Sequence, residues 1–209
     1  METLEQIKTR LEVAVPGAQL QILANTSPCQ QTSLLVDSAH LVEVATFLRD
    51  DAQLQLDFCS SVAGVDYLDQ VFPKAVKTRV VVNGVETELE DAVAETKPGF
   101  LEVVYHLYSM ALKQGPVILR QRTVNRTDQV LLRSLTPLWR GCELQEREVF
   151  DLYGVIFDGH PDLRRVFMWD NFKDHPMRKD YVGADDFEYE PTPHDDVFEM
   201  AKRHYPRRG

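Results

Sequence analysis

The segment FLEVVYHLY, residues 100–108, lies near the middle of the chain and decides the fold. Its alternate positions carry leucine, valine, tyrosine and leucine, and most of the positions between them are apolar as well. This pattern is typical of a strand that is covered on both faces. Residues 117–124 predict a further strand, which is entered through the turn-forming pair Gly115-Pro116. We therefore expect a sheet with residues 100–108 near its centre.

Toward the N-terminus the sequence predicts two helices and three more strands. Residues 3–15 have apolar side chains at helical spacing and predict an amphipathic helix. Residues 18–24 and 32–36 predict a pair of short strands. A single apolar stripe over residues 41–48 predicts a helix that packs on the sheet, and residues 54–58 alternate as a strand does.

Residues 73–99 separate the predicted strands and form an insert. Valine-rich segments flank Asn83-Gly84, which is the strongest short signal for a two-residue hairpin turn. We expect a surface hairpin followed by an acidic linker. Such an insert is tolerated because the entropy cost of closing a loop rises slowly with its length.

The C-terminal part of the chain has a different character. Residues 128–135 predict a short helix, and residues 143–153 predict a charged helix that ends at Gly154. From residue 155 onward the periodicity disappears, although many aromatic residues follow. A disordered tail rarely carries so many aromatic residues, so we expect an extended arm that becomes ordered on another protein's surface.

Together these patterns predict an α+β fold. We expect residues 1–135 to form a small two-layer domain with a mixed β-sheet and packed helices, including the inserted hairpin at about 73–99. Residues 136–209 are expected to form the charged helix and an extended C-terminal arm that docks on a neighbouring protein.

The composition excludes several classes of function. The chain has 209 residues and a formal net charge of −10, and this acidic balance argues against binding to nucleic acid. It contains no apolar run of the length that a membrane span needs. The N-terminal residues lack the character of a secretion signal or a transit peptide, so we expect a cytoplasmic origin.

Motifs for common cofactors are missing from the sequence. Neither the G-x-G-x-x-G pattern of dinucleotide sites nor the phosphate-binding loop G-x-x-x-x-G-K-[ST] occurs. Cys29, Cys59 and Cys142 are too far apart for a CxxC-type metal site, and they do not form the usual thiolate set for an iron–sulfur cluster.

Two histidines leave a metal site open as an alternative. His160 and His175 each precede a proline, and the two together could form a two-histidine metal site with Asp162 or Asp174. A stand-alone metal-dependent hydrolase would follow from that arrangement. We favour the interpretation that these histidines are hydrogen-bonded at a packed interface, because short motifs match often by chance.

Acidic residues are concentrated in the charged helix. Glu143, Glu146, Glu148 and Asp151 lie within a few turns of one another, and Arg147 lies among them. Two such carboxylates could act as a catalytic acid and base. Structural ion pairs explain such clusters more often, so we predict an ion-pair network with a partner.

Two dibasic pairs follow in this otherwise acidic chain. Arg164-Arg165 and Arg178-Lys179 are interleaved with aromatic and apolar residues, as in interfaces that have anchor residues. Because guanidinium groups match carboxylates in a two-pronged geometry, these pairs predict docking against an acidic partner surface.

A resemblance to a known family rests on two sequence blocks. The first block, EREVFDLYGVIFDGHPDLRR at residues 146–165, is very similar to the signature of the thirty-kilodalton (C) subunit of proton-translocating NADH:quinone oxidoreductase. This enzyme is respiratory complex I. The second block, HPMRKDY at residues 175–181, resembles the family's second conserved segment. Trp139 and the order of elements upstream are compatible, so the resemblance covers most of the chain.

The resemblance implies a non-catalytic subunit of an enzyme that transfers electrons from NADH to quinone and translocates protons. Its arm would wrap the quinone-site (D) subunit, beside neighbouring iron–sulfur subunits. FMN, iron–sulfur clusters and quinone would belong to the complex and not to this chain. The chain would be peripheral, held by the complex at the cytoplasmic face of the bacterial inner membrane.

The resemblance also implies a set of assembly residues. We expect Gly154 to end the helix, Gly159 and Pro161 to turn the arm, and the arginines to pair with carboxylates of the partner. Carried over onto this sequence, the set is Glu146, Arg147, Glu148, Asp151, Gly154, Gly159, His160, Pro161, Leu163, Arg164, Arg165, His175, Pro176, Arg178, Lys179, Asp180 and Tyr181.

Two further alternatives remain open from the sequence. The same blocks would occur in the equivalent subunit of a membrane-bound energy-converting hydrogenase or of a quinone reductase with another electron donor. A soluble adaptor unrelated to respiration would have to be stable alone, which the apolar arm makes difficult.

We predict that Arg164→Ala weakens assembly of the complex more than it weakens the isolated chain, because its guanidinium serves the interface. The yield of assembled complex and the melting temperature of the purified chain test this. An unchanged yield together with a lowered melting temperature contradicts it.

Overall fold

The structure, a computed structural model, describes residues 2–82, 85–169 and 171–183, and the side chains of residues 74–82 and 85–93 are not described. The chain divides into two units, Met1–Lys179 and Asp180–Gly209, and all the elements below belong to the first. In chain order they are α1 (Leu4–Ala14), β1 (Leu20–Leu23), β2 (Ser33–Val36), α2 (Leu41–Asp50), β3 (Phe58–Tyr67), β4 (Gln70–Val82), β5 (Val85–Lys97), β6 (Phe100–Ser109), β7 (Gln114–Arg122), β8 (Leu131–Arg133), α3 (Cys142–Tyr153) and β9 (Ile156–Asp158).

The main sheet has the strand order β1-β2-β7-β6-β3. β2 and β7 are parallel, whereas the other neighbours in this sheet are antiparallel. β6 lies between β7 and β3, which confirms that residues 100–108 form an inner strand. The α+β class with a mixed sheet is therefore confirmed.

The hydrophobic core lies on one face of this sheet. Tyr105 and Leu119 are directly paired across β6 and β7, and both are fully buried in the same cluster as Leu11 of α1 and Val149 of α3. Val104 and its diagonal neighbour Ile118 are buried as well, but they are not part of that cluster. Alternation along β6 thus directs its side chains to two different surroundings.

Most predicted elements upstream of β3 are confirmed. The predicted N-terminal helix is present as α1 and begins with a capping box, in which Thr3 Oγ1 accepts from the Gln6 amide (3.3 Å) and Gln6 Oε1 accepts from the Thr3 amide (2.9 Å). The short strands β1 and β2 pair antiparallel, and Leu41–Asp50 forms the helix that the apolar stripe predicts.

The strand predicted at residues 54–58 is wrong, because β3 only begins at Phe58. Leu54 and Leu56 are buried as the alternation suggests, but Gln55 between them has a positive φ of 41°, which a strand does not allow. The Leu56 amide bonds to Leu48 at the end of α2 (3.1 Å), so the segment folds over that helix.

The inserted hairpin is longer than predicted. β4 and β5 pair antiparallel from Gln70 and Lys97 to Val82 and Val85. The acidic linker predicted after the hairpin is wrong, because β5 continues to Lys97. The predicted turn at Asn83-Gly84 lies outside the described residues.

The helix predicted at residues 128–135 is also wrong, since Leu131–Arg133 forms β8 and pairs in parallel with β9. The Gln121 side chain bonds to both main-chain groups of Arg133, with Nε2 donating to its oxygen (2.8 Å) and Oε1 accepting from its amide (3.2 Å). Upstream, Asn125 Oδ1 accepts from the Gln129 amide (3.0 Å) and keeps the preceding turn closed. These side-chain bonds satisfy the backbone in an extended conformation and so compete with helix formation.

Helix α3 confirms the predicted charged helix and packs against β3. A Cβ atom added at Gly64 of β3 would lie 2.6 Å from the Tyr153 ring of α3, so this contact requires a glycine. The Gln145 side chain of α3 also accepts a hydrogen bond from the Val62 amide (2.6 Å).

We predict that Gly64→Ala lowers the free energy of unfolding by about 1–3 kcal/mol, because the added methyl group collides with the Tyr153 ring. Gly141→Ala is the matched control: φ of Gly141 is −63°, and an added Cβ atom would lie 3.6 Å from its nearest neighbour. We expect that change to stay within about 1 kcal/mol of wild type. Urea denaturation of both variants tests this, and equal losses contradict it.

Candidate functional site

The first block contains the C-terminal part of α3 and the chain that follows it, and residues of the second block contact the end of this helix. Gly154 ends this helix in the left-handed conformation, with φ of 79°, as the sequence predicts. Gly159 also has a positive φ, 84°, and turns the chain after β9. The described residues between Gly159 and Lys179 form no helix or strand, and they bond repeatedly to α3. The predicted arm beyond residue 183 lies outside the described residues.

Glu146 is fully buried at the inner face of α3. Its Oε1 accepts hydrogen bonds from the Tyr105 hydroxyl (3.1 Å) and the Leu135 amide (2.8 Å). Its Oε2 accepts from the Ser134 hydroxyl (2.5 Å) and the Thr136 hydroxyl (3.0 Å). Glu146 thus holds the segment after β8 against α3, and these donors all belong to its own chain.

Burial affects the pKa of Glu146 more than its hydrogen bonds do. It raises the pKa of this carboxyl above its usual value, and the hydrogen bonds from Ser134, Leu135, Thr136 and Tyr105 only partly offset that rise. The prediction of an ion-pair network with a partner is wrong for this residue, because its described donors are uncharged groups of the same chain.

Asp151 organises the chain between the two blocks, and its carboxylate is also fully buried. Oδ2 accepts hydrogen bonds from the consecutive amides of Val166 (3.0 Å), Phe167 (2.7 Å) and Met168 (3.0 Å). Oδ1 accepts from the Arg165 guanidinium at 2.7 Å. The sequence expectation paired Arg165 with a carboxylate of a partner, whereas the structure pairs it with Asp151.

This arrangement stabilises the ionised form of Asp151. Burial raises the pKa of the carboxyl, but the amides of Met168, Phe167 and Val166 together with Arg165 outweigh burial and hold the pKa below its usual value. A carboxylate with such partners is a fixed structural anion, not a proton donor at neutral pH.

The second block lies directly against the end of α3. His175 Nδ1 donates to the main-chain oxygen of Asp151 (3.0 Å), and Arg178 Nε donates to that of Tyr153 (2.7 Å). A Cβ atom added at Gly154 would lie 2.6 Å from His175 Cδ2 and 2.8 Å from Arg178 Nη2. Gly154 is therefore required both for its φ and for the close approach of the second block.

Protonation also suits this contact. Burial lowers the pKa of His175, and the charges of Arg178 and Arg165 lower it further, against the opposing effect of Asp151. A neutral imidazole at neutral pH can still donate from Nδ1, which is the bond that the structure uses.

Two more residues of the first block bond to main-chain oxygens. Arg147 donates from Nε to the oxygen of Arg164 (3.1 Å) and from Nη2 to that of Arg165 (3.3 Å). His160 lies at the other end of α3, with Nε2 3.0 Å from the Glu143 oxygen. The two histidines thus contact opposite ends of one helix, and the described residues contain no group of three side chains that could hold a metal ion.

The other predicted residues are mostly exposed. Leu163 is half-buried and packs against the core, and Pro176 is half-buried in the second block. Asp180 and Tyr181 begin the second unit. Among the predicted assembly residues of the first block, the exposed ones are Glu148, Gly159, Pro161 and Arg164.

Large apolar side chains protrude from the segment that Asp151 holds. Phe167, Trp169 and Met177 are 60%, 65% and 54% exposed. The Trp169 ring meets Phe172 edge to face at 4.8 Å between centroids, and the Arg165 guanidinium lies 5.8 Å from the Phe172 centroid. We call Phe167, Trp169, Phe172 and Met177 the aromatic patch. Exposed apolar groups on an ordered segment are typical of protein interfaces.

Sequence reasoning missed two residues of this site. Asp66 at the end of β3 is only 3% exposed, and its carboxylate bonds to Arg126 and to the Lys179 amide. Asp66 and Arg126 are 60 positions apart in the chain. No local motif joins residues that far apart, so the pair becomes visible only in the folded chain.

Comparisons with known proteins agree with the sequence resemblance. A family model described as respiratory-chain NADH dehydrogenase, 30 Kd subunit, matches residues 34–187. The C-subunit protein of NADH-quinone oxidoreductase from Coxiella burnetii (strain Dugway 5J108-111) is 33% identical over 186 residues, covering 86% of this chain and 80% of the relative. The protein of that name from Roseiflexus castenholzii (strain DSM 13941 / HLO8) is 34% identical over 181 residues, covering 86% and 85%.

The chain belongs to the 30 Kd subunit family of respiratory-chain NADH dehydrogenase. The family predicted from the two blocks is thereby confirmed. The same fold also occurs in the solved structure of the membrane-bound sulfane sulfur reductase, an archaeal respiratory membrane complex. A chain there is 17% identical with a TM-score of 0.50, and the match covers 98% of this chain and 92% of that one. This likeness concerns the fold alone.

The helices of this family member are short. In the part of the chain that the structure describes, none combines the length and the apolar character that crossing a bilayer requires.

We predict that Asp151→Asn lowers the free energy of unfolding by about 2–3 kcal/mol at pH 7, because the three amides and Arg165 lose a charged acceptor. Since folding lowers the pKa of Asp151, its stabilisation is complete above the unfolded pKa and is lost as pH falls through the folded pKa. The difference between wild type and variant should therefore shrink below about pH 4.

Denaturation at several pH values measures that difference. Asp50→Asn is the matched control, because this carboxylate is 55% exposed and pairs only with its surface neighbour Arg49 among the contacts seen. Its effect should be small. A difference for Asp151→Asn that is independent of pH contradicts the prediction.

Proposed function

We propose that this chain is a non-catalytic peripheral-arm subunit of an NADH:quinone oxidoreductase, and that it scaffolds the quinone-site (D) subunit. In this proposal electrons pass from NADH through FMN and iron–sulfur centres to quinone within the complex, coupled to proton translocation. The chain contributes shape and contact surface, and its neighbours carry the redox groups.

The observation that carries the proposal is the way the two blocks fold. Asp151, His175 and Arg178 use their polar groups within the chain and bind described residues of the 159–179 segment to α3. These contacts leave Phe167, Trp169 and Met177 of the aromatic patch exposed. A segment ordered in advance loses less conformational entropy on binding, which favours a docking role.

The chemistry of the buried carboxylates supports scaffolding over catalysis. Glu146 and Asp151 are fully buried, and each bonds to several donors of its own chain. A catalytic acid or base must reach the proton it transfers. Carboxylates that are shielded from solvent and bonded to several donors stabilise the fold instead.

The assembly residues follow from this proposal. The buried residues of the two blocks fix the described residues of 159–179, which we call the docking segment. Exposed Arg164 and the aromatic patch contact the quinone-site subunit and the neighbouring iron–sulfur subunits. Membrane association then comes through the complex, at the cytoplasmic face of the inner membrane.

The electron donor is the less constrained part of the proposal. The two sequence blocks would also occur in equivalent subunits of related complexes that use other electron donors. An equivalent subunit of an energy-converting hydrogenase or other-donor quinone reductase is therefore the second candidate.

The test is affinity purification of the tagged full chain from gently solubilised native membranes. Partners are identified by mass spectrometry, and inhibitor-sensitive NADH:quinone activity is assayed in the eluate. Wild-type chain should recover a partner of the quinone-site type with that activity. Asp151→Ala should recover much less partner, whereas Glu12→Gln, an exposed change on α1, should match wild type.

The outcomes separate the candidates. A partner without NADH activity would favour the other-donor complexes. A chain recovered alone, with wild-type stability, would contradict the docking role altogether.

A further inference from the structure

A buried ion pair at the end of β3 also contacts the second block. Asp66 Oδ1 accepts from Arg126 Nε at 2.6 Å, and Asp66 Oδ2 accepts from Arg126 Nη2 at 2.7 Å. Asp66 is 3% exposed, and the Arg126 side chain is 13% exposed. Two parallel bonds between a guanidinium and a carboxylate hold both groups in a defined orientation.

The same carboxylate holds the backbone of the second block. Asp66 Oδ2 accepts a hydrogen bond from the Lys179 amide at 2.8 Å, although the two residues are 113 positions apart. Lys179 is the last residue of the first unit, and Asp180 begins the second. The bond thus acts on the chain where the first unit ends.

Gly99 and Tyr67 lie close to the residues of this ion-pair contact. An added Cβ atom at Gly99 would overlap the Tyr67 oxygen and lie 2.7 Å from Arg126 Cδ, so Arg126 passes close to a backbone position that requires glycine. The Tyr67 ring stacks on Phe100 at 4.6 Å and lies 5.9 Å from the Lys179 ammonium. The Lys179 amide is therefore bonded to β3, and its ammonium lies near the ring at the end of that strand.

We infer that Asp66 and Arg126 are positioning residues for docking: they fix the backbone of the second block at Lys179 and so set how the docking segment meets its protein partner. Arg126 orients the carboxylate, and the carboxylate holds the amide. The inference rests on the proposed scaffolding function. It assigns that function to residues outside both blocks.

The first test compares Lys179→Pro with Lys179→Ala in the full-length chain. Both changes remove the ammonium, but only proline removes the amide hydrogen that bonds to Asp66. Affinity for the isolated quinone-site subunit should be about tenfold or more lower for proline than for alanine, since a hydrogen bond to a charged group has that effect on an equilibrium. Equal affinities overturn the inference.

A second pair of variants avoids the conformational restriction that proline also places on Arg178. Asp66→Ala removes the acceptor, whereas Asp66→Asn keeps an oxygen of the same reach. Asparagine should restore part of the partner affinity that alanine loses, measured per folded chain. If affinity follows melting temperature alone in both variants, the pair has only a structural role and the inference is wrong.

A measurement without any partner separates this inference from the proposed function. In wild-type chain the Lys179 amide should exchange its hydrogen slowly, and in Asp66→Ala it should exchange about tenfold faster or more. Fast exchange in wild type overturns the inference while leaving the scaffold proposal standing. Protection at Lys179 in a wild-type chain that captures no partner overturns the scaffold proposal, and the docking role of the pair with it.

Discussion

The buried carboxylate of Asp151 is the constraint on which the rest of the site depends. It lies in the last turns of α3, yet its oxygens bind the amides of Val166 to Met168 and the guanidinium of Arg165. A buried anion is stable only when hydrogen bonds and charges compensate it, so the segment after Arg165 must close around it. That closure places the aromatic patch outside and the second block against Gly154.

The contacts of the predicted site residues lie within the chain, and the sequence alone does not reveal them. The composition of α3 could not tell that Glu146 and Asp151 are internal, because charge clusters on helices are usually solvated. The sequence predicts that Arg165 pairs with a carboxylate of a partner. In the structure its guanidinium pairs with Asp151 of α3 in its own chain. Asp66 left no local signal, since its partners Arg126 and Lys179 are distant in the chain. Long-range pairing therefore decides which charges remain available for assembly.

For the fold, periodicity predicts the elements that bury a regular face and fails at residues 54–58 and 128–135. The central strand at residues 100–108 and the three helices were predicted, because each buries a regular face. The apolar run at residues 128–135 predicts a helix, but so short a run fits a strand equally well. The contact that decides for the strand is made by the Gln121 side chain, which is distant in sequence. Leu54 and Leu56 are buried on either side of the less buried Gln55, but this alternation does not belong to a strand. The domain boundary predicted at residue 135 stays a prediction.

The central claim is that the two blocks shape the docking segment within the chain, before any partner binds. Amide hydrogen exchange of Val166, Phe167 and Met168 in the purified full-length chain tests it most directly. The account predicts slow exchange at all three amides at neutral pH, and loss of that protection in Asp151→Ala. Exchange at the rate of an unfolded chain until a partner is added would contradict it.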